Sequence, residues 1–220
     1  MTLRKNIVRL LRKNGKTNFI YNLNEHSKIL DVGCGNASTI IDIKALKPGC
    51  KLTGIDVDDY KQTAESKKLI DNYVISQPKN FARAIEDIPG KFDVVMSSHN
   101  LEHTLDRKNV LINMLNKVKS NGFFYLSFPC MESIKFPSRH GTLNYYDDNT
   151  HRGIPPSFDD VVRVIQEHNF KIIYSTRRHR PILLFLIGLI LEPFSVLKKK
   201  VLRGTWEFYG FETIIHAKKI

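Results

Sequence analysis

Cysteine is scarce in this chain. Cys34, Cys50 and Cys130 are the only three in 220 residues, too few for a disulfide framework, and that usage predicts a reducing, cytoplasmic setting. No apolar run approaches the roughly 20 residues that span a bilayer. The run from Ile182 to Leu191 is closed by Glu192 and Pro193. The basic N-terminus leads into no apolar core, so no signal peptide is expected. Ser97 and Ser98 precede His99 without the flanking glycines of a nucleophile elbow, and no nucleophile–base pair stands out. Internal repeats and low-complexity linkers are absent, which leaves one domain, or a domain with an appendage, long enough for a substantial core.

Acidic residues are in deficit: 34 Lys and Arg face 22 Asp and Glu, a net charge of +12. Residues 1–16 hold six basic side chains and no acid, and 177–203 hold seven with Glu192 as the single acid. The rest of the chain balances. A nucleic-acid binder spreads its basic residues over the face around its site; here they sit in two segments that are also apolar, so nucleic acid is not an expected partner. Residues 2–13 read as a basic amphipathic helix with Leu3, Ile7, Leu10 and Leu11 on one face, stopped by Asn14-Gly15. This segment, 1–16, and a second apolar and basic one, 177–205, are expected at an anionic membrane surface. The alternatives are a helix packed over the core for the first, and a cover for a sheet edge or a homodimer seam for the second.

What is present is organised around residues 28–39, Lys-Ile-Leu-Asp-Val-Gly-Cys-Gly-Asn-Ala-Ser-Thr. They predict a buried strand from Ile29 to Val32, a glycine turn and a helix from about Ser38. Gly33 and Gly35 lack a Cβ, so the backbone can turn sharply and approach a ligand, toward which the next helix points its free N–H groups. A dinucleotide fingerprint would need a third glycine where Ser38 stands. Asp31, at the strand end, suits a cationic group better than a pyrophosphate.

The stretch resembles motif I of the class I S-adenosylmethionine-dependent methyltransferases, acidic-x-Gly-x-Gly-x-Gly. It matches at Asp31, Gly33 and Gly35 and departs at Ala37. The resemblance implies an α/β fold, a Rossmann-like doubly wound seven-stranded mixed sheet occupying residues 17–220, with S-adenosylmethionine as cofactor. Asp31 and Gly33, in the turn with Cys34 and Gly35, would take its methionine end. Asp56, 21 residues after Gly35 and at the end of a second strand, would take the ribose hydroxyls beside Val57. A helix is expected over 60–72 and a poorly marked third strand within 73–85. Glu86-Asp87-Ile88-Pro89 resembles the family's acidic-Leu-Pro element. The adenine-binding carboxylate expected near Ala84 is missing, which leaves Ile85 and Glu86 for that contact.

The segment Lys91 to His103 is similar to the family's fourth strand, ending in His99-x-x-Glu102-His103. Ser98 and His99 would form the floor near the methyl group. That run also spells an inverted zinc-protease motif, but its place directly after a sheet strand argues against a metal site. Residues 129–156, punctuated by Pro and Gly yet rich in Tyr, His and Arg, read as a substrate loop. Within it, Asp148-Asn-Thr-His151 resembles an element of bacterial methyltransferases of cell-surface polysaccharide pathways. His151 is therefore the expected base, oriented by Asp148, with His103 or His99 in reserve; the alternative is a histidine that merely buttresses the loop. The expected reaction is O-methylation of a sugar or glycolipid-linked acceptor at the cytoplasmic face of a membrane. An RNA methyltransferase, a nicotinamide oxidoreductase and a non-catalytic S-adenosylmethionine-binding scaffold are the rival readings.

Overall fold

The computed structural model describes residues 14–59 and 61–220; the expected helix over 2–13 lies outside them. Helix α1 (Lys16–Tyr21) leads into β1 (Lys28–Val32), α2 (Ser38–Leu46), β2 (Lys51–Asp56), α3 (Ala64–Lys68) and β3 (Asn72–Ile75). Helix α4 (Phe81–Asp87), β4 (Phe92–Ser98), α5 (Arg107–Asn116) and β5 (Val118–Pro129) complete the parallel part. Helix α6 (Phe158–Glu167), β6 (Phe170–Thr176), α7 (Ile182–Leu197), α8 (Thr205–Tyr209) and β7 (Glu212–Lys219) follow. The seven strands form one sheet in the order β3-β2-β1-β4-β5-β7-β6. β7 runs antiparallel to both β5 and β6, and the other pairs are parallel.

The alternation of β-strand side chains sends Leu30, Val32 and Val95 to one face and Ile29, Val94 and Met96 to the other. The first set packs with Phe81, Ile85, Met114 and Ile165 from α4, α5 and α6. The second packs with Phe19, Ile20, Ile40 and Ile43 from α1 and α2. Both faces are therefore covered, as a parallel sheet requires. The strand order reverses between β1 and β4, and their carboxyl ends open the crevice where such folds bind ligands.

Two elements differ from expectation. The helix expected over 60–72 shrinks to α3, capped by Thr63 through Ser66. Its apolar Leu69 and Ile70 instead leave the helix and pack on the second core. The apolar run does not stop at Glu192 and Pro193; α7 continues through both to Leu197. Glu192 turns inward to Arg139, at 2.6 and 2.8 Å, which removes the solvation cost that would have ended the helix there.

The 129–156 segment is irregular but tied down. Asp147 accepts N–H bonds from Arg139, Leu143 and Asn144 at 2.9–3.0 Å. Arg107 donates to the carbonyls of Arg152 and Ile154 and to the Tyr145 hydroxyl. The segment's inner end thus lies against the β4 exit.

Candidate active site

A cavity of about 360 Å³ opens at the carboxyl ends of β1, β2 and β4. Gly33, Gly35, Asp56, Val57, His99 and His103 line it, with Asp148, Thr150 and Arg152 from the long loop opposite. Gly33 (φ +74°) needs glycine twice over, since a Cβ there would sit 2.2 Å from the Asn100 side chain. At Gly35 (φ +50°) a Cβ would meet nothing within 4 Å; the turn leaves open space there. Ala37 takes the same left-handed conformation, φ +62°, where the family's third glycine stands, at a cost of roughly 1–2 kcal/mol for a residue with a Cβ.

Asp31 lies beneath this turn, 2% exposed, and its Oδ2 has no hydrogen-bond partner. Burial pushes its carboxyl up to about 7, against the lowering influence of Lys16. Asp56 accepts N–H bonds from Gly35 at 2.5 Å and Val57 at 2.6 Å, and burial still raises its pKa. The Ser98 hydroxyl and Asn100 Nδ2 are likewise buried and unpartnered. Orphaned polar atoms around an open glycine turn, with one carboxylate below and another on the wall, fit a cofactor carrying a cation at one end and hydroxyls further along. Cys34 faces away: its thiol packs into the second core, close to Gly54, and burial raises its pKa.

Ile85 and Glu86 do not reach the cavity. Helix α4 runs from the carboxyl end of β3 back to the amino end of β4, so its last turn lies at the wrong end of the sheet. Ile85 is fully buried in the core and Glu86 lines a separate surface dent. Pro78, in the 3-10 turn Pro78–Asn80 just ahead of that helix, and Phe81, its first residue, line the cavity in their place. Their signal was readable: a proline one turn ahead of an apolar helix, just after a strand.

His99 also sits in the left-handed region, φ +50°. Its ring bridges Glu102 through Nδ1 and Glu212 through Nε2, both at 3.2 Å. The two carboxylates outweigh burial and raise its pKa to about 10, while Glu212 falls to about 2. His99 is therefore an imidazolium near neutrality and no base. Glu212, 113 residues away in sequence, carried no local signal.

His103 stands on the cavity wall. Thr150 Oγ1 donates to Asp148 at 2.6 Å and is 2.8 Å from His103 Nδ1. The hydroxyl proton is committed to the carboxylate, so Nδ1–H donates to Thr150 and Nε2 keeps its lone pair. Burial lowers the His103 pKa and so favours the neutral ring. His151, the base expected from sequence, sits one ring behind: Nδ1 lies 2.5 Å from the Tyr145 carbonyl, and the ring stacks on Tyr145 at 4.3 Å and meets His103 at 4.7 Å. Thr150 thus links Asp148 to the His103 ring, while the His151 ring turns its Nδ1 to the Tyr145 carbonyl and not to the Asp148 carboxylate expected to orient it. Glu102, His103 and His151 also bring one ligand atom each within 4.8 Å of one another, an arrangement able to hold a cation.

Comparison with known proteins agrees with this geometry. Residues 30–124 match the family described as "Methyltransferase domain". The chain is 32% identical over 102 residues to the ubiquinone biosynthesis O-methyltransferase of Shewanella halifaxensis, a match covering 46% of this chain and 42% of that protein. The chain thus spans less than half the length of that curated relative. The S-adenosylmethionine-dependent methyltransferase structure from Mesorhizobium loti aligns with a TM-score of 0.63 at 15% identity, covering 92% of this chain and 95% of the other. One from Archaeoglobus fulgidus aligns with a TM-score of 0.55 at 19% identity, covering 99% and 93%. Its sheet order and these solved structures show that this chain has the class I methyltransferase fold, and over residues 30–124 it is similar to methyltransferase domains, a likeness that implies S-adenosylmethionine as cofactor.

Proposed function

We propose that the protein methylates a hydroxyl oxygen on a sugar or glycolipid-linked acceptor, with His103 taking the hydroxyl proton. The observation that carries this reading is the chain Asp148–Thr150–His103, which holds the His103 ring on the cavity wall with its Nδ1 against Thr150. S-adenosylmethionine supplies a methyl group on a sulfonium, already activated for transfer. What the protein adds is position, a proton acceptor and exclusion of water. Asp31 and the Gly33–Gly35 turn would hold the methionine end, Asp56 the ribose, and Pro78 and Phe81 the apolar base. His99, fixed between two carboxylates, keeps a positive charge at the floor.

Asn100, Asp148, Thr150 and Arg152 make the remaining wall polar, which suits a hydroxyl-rich acceptor. Oxygen as the accepting atom is supported by the relative's name, an O-methyltransferase. His151 is then a positioning residue, holding His103 from behind.

The test uses purified protein, radiolabelled S-adenosylmethionine and a cell lysate fractionated into lipid, carbohydrate and RNA. Label should enter lipid or carbohydrate. His103→Ala should lower turnover by about 10²–10⁴-fold with calorimetric S-adenosylmethionine binding unchanged. The acid limb of the wild-type profile should fall below the ordinary imidazole range, since burial lowers the His103 pKa. Label in RNA, or near-normal turnover in His103→Ala beside a lost one in His151→Ala, would overturn the assignment.

A further inference from the structure

Helix α7 is inside out. Leu184, Gly188 and Ser195 are buried, and Glu192 turns inward to Arg139. The side facing water carries Ile182, Leu186, Leu189, Ile190, Phe194 and Leu197, with Ile182 79%, Ile190 69% and Leu197 81% exposed. Their spacing follows the helical repeat, so they form one continuous apolar stripe with no charge in it. A helix of a water-soluble surface has the reverse pattern, and a contiguous exposed patch of this kind marks a contact site.

The helix is also a fixed platform. A Cβ on Gly188 would lie 2.0 Å from the Gly204 carbonyl oxygen, so α7 meets the start of α8 backbone to backbone. The guanidinium of Arg139 binds Glu192, Ser195 Oγ and the Tyr209 hydroxyl, which locks the helix to the long loop.

We propose that this face of α7 docks on an anionic lipid surface. The ends of the helix decide the occupant. Lys198, Lys199, Lys200 and Arg203 follow it, all exposed and with no acidic partner among the described residues, and exposed Arg180 precedes it. A second copy seated on the stripe would set basic ends against basic ends in either helix direction. An anionic leaflet complements both ends while the stripe enters the acyl boundary. At 16 residues the helix is about 24 Å long, and no helix of the described residues is long and apolar enough to cross a membrane.

The location fits. Helices α7 and α8 precede Glu212, which pairs with Pro129 at the carboxyl end of β5, the end at which the cavity opens. The Trp206 ring of α8 lies 5.2 Å from that of His99. A lipid-borne acceptor would therefore meet the cavity from the docked side, a consequence that rests on the acceptor proposed above, whereas docking itself does not.

The test is co-sedimentation of the full chain with vesicles of phosphatidylglycerol and phosphatidylcholine, against phosphatidylcholine alone. Binding should require the anionic lipid and weaken by about 0.5 M salt, where charges are screened within a few ångströms. The triple variant Leu186→Ser, Ile190→Ser, Phe194→Ser should bind about tenfold or more weakly while keeping its melting temperature and S-adenosylmethionine affinity. No binding at low salt overturns the proposal. So does undiminished binding of the triple variant, which would move the contact to residues 1–13. So, too, does a stable dimer in sedimentation velocity that the triple variant dissociates. None of these readouts uses turnover, so failure of docking and failure of methyl transfer are told apart.

Discussion

Single side chains in this site owe their chemistry to partners that burial forces on them. Asp31 is held up to about 7 by burial, so near neutrality it is only partly ionised. A cation would be accepted by the ionised form. S-adenosylmethionine affinity should therefore weaken as pH falls below about 7 and level off above it. Asp31→Asn should lose about 1–3 kcal/mol of binding together with that pH dependence, as calorimetry at pH 6 and pH 8 would show. Equal affinities at the two pH values would contradict the assignment of Asp31. That Gly33 and Gly35 turn the chain into the cavity that Asp56 also lines was legible in sequence because a glycine turn is a local demand of the backbone. That His103 lines it while His151 sits behind was not. It depends on the Tyr145 carbonyl capturing one ring and Thr150 reaching the other, contacts that local spacing does not specify.

At the scale of elements, the long loop and α7 act as one piece. The Arg139 and Glu192 side chains are 5% and 14% exposed, so their pairing is a contact between buried charges. Removing Arg139 leaves Glu192 the Tyr209 hydroxyl, at 2.6 Å, but no opposite charge; breaking a buried pair in this way costs about 3–5 kcal/mol. Arg139→Ala should lower the unfolding free energy by that order, seen as a lower denaturant midpoint at an unchanged denaturant slope. A cost below about 1 kcal/mol would show that the pair is solvated. Gly188→Ala should prise α7 from α8, because the Gly204 backbone has nowhere to yield; overpacking of this kind costs about 1–3 kcal/mol, measurable by the same titration. In sequence, Glu192 read as the end of an apolar run. Only the fold supplied Arg139, 53 residues earlier, as the reason a charge belongs on the helix's inner side.

For the whole molecule, the half-buried His99 and the buried His216 shape stability against pH from opposite sides. The His99 pKa is raised to about 10 by Glu102 and Glu212, so its contribution is full below the ordinary imidazole value and is lost as pH rises through 10. The His216 pKa is lowered to about 4 by burial, so the unfolded chain takes up that proton first and stability falls as pH drops from about 6.5 toward 4. The melting temperature should therefore be highest near neutrality, and His99→Gln should flatten its decline between pH 7 and pH 10. A wild-type decline unchanged in that variant would place the cause elsewhere. The amino-acid sequence determined the first, second and fourth strands, the glycine turn and the two acids at strand ends, through local periodicity and turns only glycine makes easily; the third strand was poorly marked, and the seven-stranded doubly wound sheet was legible through the resemblance to motif I. Tertiary structure alone decided which histidine faces the cavity, that Glu212 charges His99, that the start of α4 rather than its end lines the site, and that α7 turns its apolar side outward. Each of these depends on which groups meet across the sheet, and that is settled by packing between residues distant in sequence.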